Sequence, residues 1–321
     1  MRNARLRVST SNRTAAVLRL TVRFLIVALA ALAGGLVLSP APAFAAARLN
    51  IDSGGISRSA VVVLRDRLKL RRRPLVIVLH RGGGMGAHIR RRLGLEEVAE
   101  SNKPIFVYPD AINGVWPAAP GADADRDVKF LHDLAEHFIS QGAVDPRRIF
   151  VVGVSSGGAF AYRAVCAGIG RPVAGLATLI SAMPADLANC APGPVAYVAV
   201  SNVSDPRIPY AGGKATLTEA SFDALPAESA FALFAKNNSC GARREDKAFP
   251  EHEPRGAAKF VRGSILSYAG CKASVELIRL DSAGHRIPGR KPDHDHLEPT
   301  AEQEDFDASR AIWDFLKRNG A

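Results

Sequence analysis

The chain has 321 residues, 47% of them hydrophobic and 23% charged, with a formal net charge of +11. That is an ordinary globular balance with ample apolar material for a large core. Six of the positive charges sit in residues 1–47, which contain no acids, so the remainder carries about +5, too modest to call for a nucleic-acid partner.

Those six arginines (Arg2, Arg5, Arg7, Arg13, Arg19, Arg23) lead into the apolar run "FLIVALAALAGGLVL" (Phe24–Leu38) and then "SPAPAFAAA". A basic segment, a short apolar core and small residues at Ala43 and Ala45 predict a secretory signal peptide over 1–47, cleaved near Ala45 to Ala47. Fifteen apolar residues fall short of the roughly 20 that a membrane span needs, so no stable membrane insertion is expected after cleavage. The expected product is an exported chain, 48–321, periplasmic or extracellular. Its densest basic run, "RDRLKLRRR" (Arg65–Arg73), reads as a solvated loop leading into a strand.

Along the rest of the chain, short apolar runs predict strands at 60–64, 75–80, 105–108, 149–153, 176–181, 195–200 and 274–280. They are continuous rather than alternating, as expected of strands buried on both faces. Between them, Val128, Leu131, Ala135 and Phe138 recur at helical spacing, and Phe306, Ile312, Phe315 and Leu316 mark a last helix. Strand–helix alternation implies an α/β protein: a mainly parallel sheet covered by helices, in a single domain. The segment 210–257 shows no clear strands and is expected to form a small cap or long excursion.

The four cysteines, Cys166, Cys190, Cys240 and Cys271, suit disulfides in an exported chain. Of three possible connectivities, Cys166–Cys190 and Cys240–Cys271 close the two shortest separate loops. No C-x-x-C occurs, which argues against a zinc or thioredoxin-type site.

Chemistry concentrates around "VVGVSSGGAF" (Val151–Phe160). Ser155 is the centre of Gly153-x-Ser155-x-Gly157, between a predicted strand and a helix-like run, which is the context of a nucleophile elbow. Residues two before and two after such a serine must be small, because their side chains would collide across the turn. Ser156 has Val154 at the corresponding position and does not qualify. An activated serine needs a base, and the base needs an orienting carboxylate. Asp205 follows the strand at 195–200 and His285 follows the last strand, so the chain order is Ser155, Asp205, His285. His132 and His137 fall on a polar helix face, and His252 follows no strand. The oxyanion of an acyl intermediate would be met by the backbone N–H of Ser156 and by one from Arg81 or Gly82, in the glycine-rich loop of "LVIVLHRGGGMGAH". No Gly-Lys-Ser/Thr follows that loop, so it is not a P-loop. "DHDH" (Asp293–His296) reads as a solvated loop, and no metal is expected. Trp116 is the single candidate for stacking on a substrate; Trp313 and Phe315 are expected to pack in the core.

From about Leu49 to Leu316 the sequence resembles secreted α/β-hydrolase esterases of the poly(3-hydroxybutyrate) depolymerase and feruloyl esterase family. The markers, in order, are "RPLVIVLHRGGG", "VYPDAINGVW", "DVKFLHDL", "VDPRRIFVVGVSSGGAFAYRAVC", "SDPRIPYAGG", "NNSC", "AGHRIPG" and "FDASRAIWDFL". The resemblance implies the α/β-hydrolase fold, helices on both faces of the sheet, and Ser155, His285 and Asp205 as nucleophile, base and acid. It also suggests disulfides at the cysteines paired above. Four positions depart from the family: Arg81 stands where glycine is usual after the loop histidine, Asn202-Val203 replaces Gly-Thr, and Ile287 replaces a tryptophan. Were position 81 to need a positive φ, arginine there would cost about 1 kcal/mol or more and the loop would be reshaped; otherwise Arg81 reads as solvent-exposed, ahead of pairing with a substrate carboxylate.

The expected activity is hydrolysis of a small-molecule or oligomeric carboxylic ester through an acyl-enzyme, with no cofactor. A triad alone does not distinguish this from a peptidase or acyl transferase, and a catalytically silent binding protein on the same fold is the alternative from another class.

Overall fold

The computed structural model describes residues 45–64, 72–99, 104–217, 221–244, 246–249, 261–289 and 306–321. The basic-apolar segment before Ala45, most of "RDRLKLRRR", His252 and "DHDH" lie outside the described residues. Residues Phe44–Ala321 form one compact unit.

Its strands are β1 (Ala45–Ser53), β2 (Ile56–Leu64), β3 (Arg73–Leu79), β4 (Ile105–Pro109), β5 (Val144–Val154), β6 (Gly175–Leu179), β7 (Ala196–Asn202), β8 (Gly213–Thr216), β9 (Ser221–Ala224), β10 (Lys247–Phe249), β11 (Gly263–Ser267) and β12 (Val275–Leu280). The main helices are α1 (Gly86–Leu93), α2 (Ala122–Ser140), α3 (Ser156–Ala167), α4 (Ala227–Asn237) and α5 (Ala308–Arg318). Among the described residues ten strands form one sheet in the order β1-β2-β4-β3-β5-β6-β7-β12-β11-β10. The centre, from β4 through β12, is parallel; β1, β2, β11 and β10 add antiparallel edges.

Alternate residues of the central strands feed two cores, as the two-residue period of a strand requires. On one face Leu75, Ile77, Ile149, Val151 and Tyr197 meet Phe130 and Leu134 of α2, Phe160 of α3 and Phe231 of α4. On the other, Val76, Val78, Val152, Val198 and Ile278 meet Ile89 of α1 and Trp313 and Phe315 of α5. Burial on both faces explains why these strands read as unbroken apolar runs.

All seven expected strands are present, and both expected helices form, at Ala122–Ser140 and Ala308–Arg318. The excursion is a correction: 210–257 contains the β8–β9 ribbon, α4 and β10. Its strands are short, three or four residues each, and half-exposed, so they leave no apolar run. Strand β1 was also missed, although "DSGGIS" carries a hairpin signal: Gly54 and Gly55 form a two-residue turn at φ 65° and 80°. Because β1 starts at Ala45 and pairs Ala46 with Val63, the expected cleavage window overlaps the first residues of the sheet.

Candidate active site

Four loops at the carboxyl ends of parallel strands build the site, where ligands bind in open α/β sheets. They follow β3 (Arg81–Met85), β5 (Ser155), β7 (Asp205) and β12 (His285). Ser155 lies between the last residue of β5 and the first of α3, with φ 53° and ψ −122°. That backbone is outside the ordinary left-handed well for an L-residue and costs about 1–3 kcal/mol. The turn is held by Ser155 N–H donating to Leu179 O at 3.0 Å and by Ser181 Oγ donating to Ser155 O at 2.7 Å.

The glycines flanking the turn are there for contact. A Cβ on Gly153 would lie 2.5 Å from both Gly157 O and Gly158 Cα, and one on Gly157 would run into the His80 carbonyl. Gly158 is equally constrained, since a Cβ there would lie 2.5 Å from the Ser181 side chain. Ile180, directly after β6, is a further non-glycine residue with positive φ (42°), so two strained positions adjoin on neighbouring strand ends.

Ser155 Oγ is 3.0 Å from His285 Nε2, and His285 Nδ1 is 2.8 Å from Asp205 Oδ2. A carboxylate only accepts, so Nδ1 carries the proton and Nε2 is left to accept from the serine hydroxyl. The other Asp205 oxygen accepts the N–H groups of Arg207 (2.8 Å) and Ile208 (3.0 Å), which fixes the buried carboxylate. The structure thus brings together the three residues expected to form a triad. The Asn202 departure has a structural role: its Nδ2 donates to Gly284 O at 2.8 Å and its Oδ1 accepts Ala283 N–H at 3.2 Å, tying the Asp205 loop to the His285 loop.

Ser156 opens α3, a position whose N–H has no intrahelical acceptor and which lies at the positive end of the helix dipole. Its side-chain oxygen is buried with no hydrogen-bond partner among the described residues. In the loop after β3, Arg81 O accepts from His80 Nδ1 (2.7 Å) and from Gly84 N–H (3.1 Å). A trans peptide sets the Gly82 N–H antiparallel to that carbonyl, so the pinned Arg81 oxygen also pins the Gly82 donor. The second His80 nitrogen, Nε2, accepts Ala111 N–H at 3.0 Å. Burial lowers the His80 pKa, favouring the neutral ring. Asp110 braces the same loop from β4: Oδ1 accepts Gly86 N–H (2.7 Å) at the start of α1, and Oδ2 accepts from Ser59 Oγ (2.7 Å).

One open question is answered and one expectation is corrected. Arg81 is not at positive φ; the loop's left-handed residue is Gly83 at 65°, so arginine at 81 carries no such strain. Trp116 is fully buried, stacked on Phe160 with centroids 5.2 Å apart, and belongs to the core rather than to a substrate surface. The residues missed, Ser181, Asn202, His80 as a brace and Asp110, all lie at or just beyond strand ends. Asp110 could have been found by the rule that flagged Asp205, a carboxylate following a buried strand.

A cleft of about 640 Å3, open to solvent, adjoins the triad; His285, Val154, Ile180 and Ile287 form part of its wall. Among the described residues no group of three or more His, Cys, Asp or Glu could hold a metal ion, and no helix is long and apolar enough to cross a membrane. Both expected disulfides, Cys166–Cys190 and Cys240–Cys271, are formed.

No family model matches the chain. It is similar to the "Putative esterase NocK" of Nocardia uniformis, 26% identical over 68% of this chain and 66% of that protein. It is 25% identical to Feruloyl esterase D of Neurospora crassa, over 70% of this chain and 65% of that one. Feruloyl esterase C of Emericella nidulans is 28% identical, with 66% and 69% covered. The chain spans just under two thirds of the first two relatives' length. Among solved structures, an acetyl xylan esterase from Aspergillus awamori superposes with a TM-score of 0.51 over 77% of this chain and 96% of that one, at 12% identity. Strand order, helices on both faces and this superposition agree: the chain has the α/β-hydrolase fold, and in sequence it is similar to proteins named esterases.

Proposed function

We propose that the protein is an exported serine hydrolase of carboxylic esters. The observation that carries this reading is the continuous hydrogen-bond chain Ser155 Oγ–His285 Nε2, His285 Nδ1–Asp205 Oδ2, starting at a strained elbow. Ser155 Oγ attacks the ester carbonyl carbon while His285 Nε2 takes its proton. Asp205 holds the imidazole and stabilises the imidazolium. The oxyanion is met by Ser156 N–H and by Gly82 or Arg81 N–H. Collapse of the tetrahedral intermediate breaks the bond to the alcohol, which leaves with the proton from His285. Water, deprotonated by His285, then releases the acid from Ser155. Side chains, backbone amides and water suffice for this sequence of steps.

Export is supported by the basic-apolar-small pattern before Ala45 and by the two disulfides, which persist in oxidising compartments. The names of the relatives favour feruloyl or acetyl esters, and the family resemblance adds hydroxyalkanoate oligomers. The test is labelling of the purified protein with a fluorophosphonate, located by peptide mapping, together with hydrolysis of 4-nitrophenyl butanoate. Labelling at Ser155 with ester turnover is expected. A folded protein that neither labels nor turns over would overturn the reading.

A further inference from the structure

The cleft beside His285 has an unusual wall for a site that takes a neutral ester. Arg81, Arg92 and Arg286 line it, with Met85, Ile180 and Ile287 as apolar surface, and among the described residues no Asp or Glu does. Arg81 is exposed, and its guanidinium has no carboxylate partner among the described residues. Its backbone is fixed in the cleft wall by the His80 and Gly84 hydrogen bonds to its carbonyl. A guanidinium in a cleft wall that also carries apolar side chains is suited to a two-oxygen anion, because its fork of N–H groups matches a carboxylate.

We propose that this cleft selects esters carrying a free carboxylate, with Arg81 as the residue that pairs with it. Suitable substrates are hemiesters of short dicarboxylic acids, or esters whose alcohol part carries a carboxylate away from the ester oxygen. The proposal rests on the reading of Ser155, His285 and Asp205 as the hydrolytic triad. It adds no chemical step: the carboxylate is held while the neighbouring ester bond is cleaved.

Two matched pairs test it. Mono-4-nitrophenyl glutarate against 4-nitrophenyl pentanoate places the charge on the acyl side. 4-Carboxybenzyl butanoate against benzyl butanoate places it on the alcohol side. The readout is the ratio of kcat/KM within each pair, so a loss common to both members cancels. In at least one pair the charged ester is expected to be favoured by about tenfold at low ionic strength, with the advantage shrinking as salt is added. In Arg81→Gln the ratio should fall below about twofold, and Arg81→Lys should keep part of it. Neutral esters favoured in both pairs, or a preference unchanged in Arg81→Gln, overturns the proposal. If neither pair is hydrolysed, fluorophosphonate labelling at Ser155 decides the triad reading, and calorimetric titration with glutarate decides the cleft separately. Binding weakened about tenfold in Arg81→Gln supports it, and equal or undetectable binding to both proteins overturns it.

Discussion

Asn202 Nδ2 donates a 2.8 Å hydrogen bond to the carbonyl oxygen of Gly284, one residue before His285. The same side chain accepts from Ala283 N–H, so one amide clamps the loop carrying the proposed base to the strand end preceding the proposed acid. In Asn202→Ala the buried Ala283 N–H loses its partner, at a cost of about 1–3 kcal/mol. The imidazole then loses its fixed distance to Ser155 Oγ. Displacements near 1 Å typically cost about 100-fold, so kcat for a 4-nitrophenyl ester should drop roughly 10- to 100-fold, with a smaller change in KM. Steady-state kinetics check this; an unchanged kcat would mean the clamp is dispensable.

The two adjacent serines separate cleanly. Ser155→Ala removes the proposed nucleophile and should lower kcat by at least about 10³-fold, while abolishing fluorophosphonate labelling. Ser156 Oγ has no hydrogen-bond partner among the described residues, and its proposed contribution is a backbone N–H that alanine retains. Ser156→Ala should therefore keep activity within about threefold and stability within about 1 kcal/mol. Comparable activity losses in both variants would contradict the assignment.

His80 gives the loop after β3 a sign-defined pH dependence. Burial is the leading cause of its lowered pKa; the Arg81 carbonyl and Asp110 oppose the shift, and His88 adds to it. In the folded state Nε2 accepts Ala111 N–H, so protonating the ring sets two donors against each other. As the pH falls, the unfolded chain takes up this proton first. The contribution to stability is complete above the ordinary imidazole value of about 6.5 and is lost as the pH falls through the lower folded-state value. Melting temperatures from pH 8 to 5 should fall more steeply for the wild-type protein than for His80→Asn. Parallel curves would show that His80 titrates alike in both states.

Much of this was legible in the sequence for a definite reason. The strands at 75–80, 149–153 and 195–200 are buried on both faces, so they had to be continuous apolar runs. Gly153 and Gly157 were legible because a Cβ at either would collide with backbone. Asp205 and His285 stood out by following strands in the expected order. Trp116 misled because a lone indole between strands reads the same in sequence whether it faces solvent or stacks on Phe160; only packing decides. Arg81 raised a question of strain that the local sequence could not answer, since Gly83, two residues on, takes the left-handed conformation. Asn202 and Ser181 were hidden because each acts across strands on a residue distant in the chain.

The disulfides brace the side of the sheet that carries α3 and α4. Cys166–Cys190 joins the end of α3 to the segment between β6 and β7, closing a separation of 24 residues. Cys240–Cys271 joins the residues after α4 to those before β12, a separation of 31, and so steadies the strand that leads to His285. Loop entropy assigns each about 3–4 kcal/mol. The second has a local companion: buried Asn238 bonds both the N–H and the carbonyl of Val195 and the carbonyl of Ala273, crossing the same gap. Opening Cys240–Cys271 should therefore leave the α4 junction held by a fully buried amide, whereas the companion of Cys166–Cys190 is the ion pair of Arg163 with Asp186 (2.8 and 2.9 Å), whose carboxylate is 43% exposed and screened by solvent. At about 2–4 °C per kcal/mol, Cys166→Ser with Cys190→Ser should lower Tm by on the order of 10 °C, and Cys240→Ser with Cys271→Ser by less. Scanning calorimetry of the two double variants, with and without reductant, checks both the size and the order. Four free thiols in the unfolded, unreduced mature protein would remove the basis of the argument.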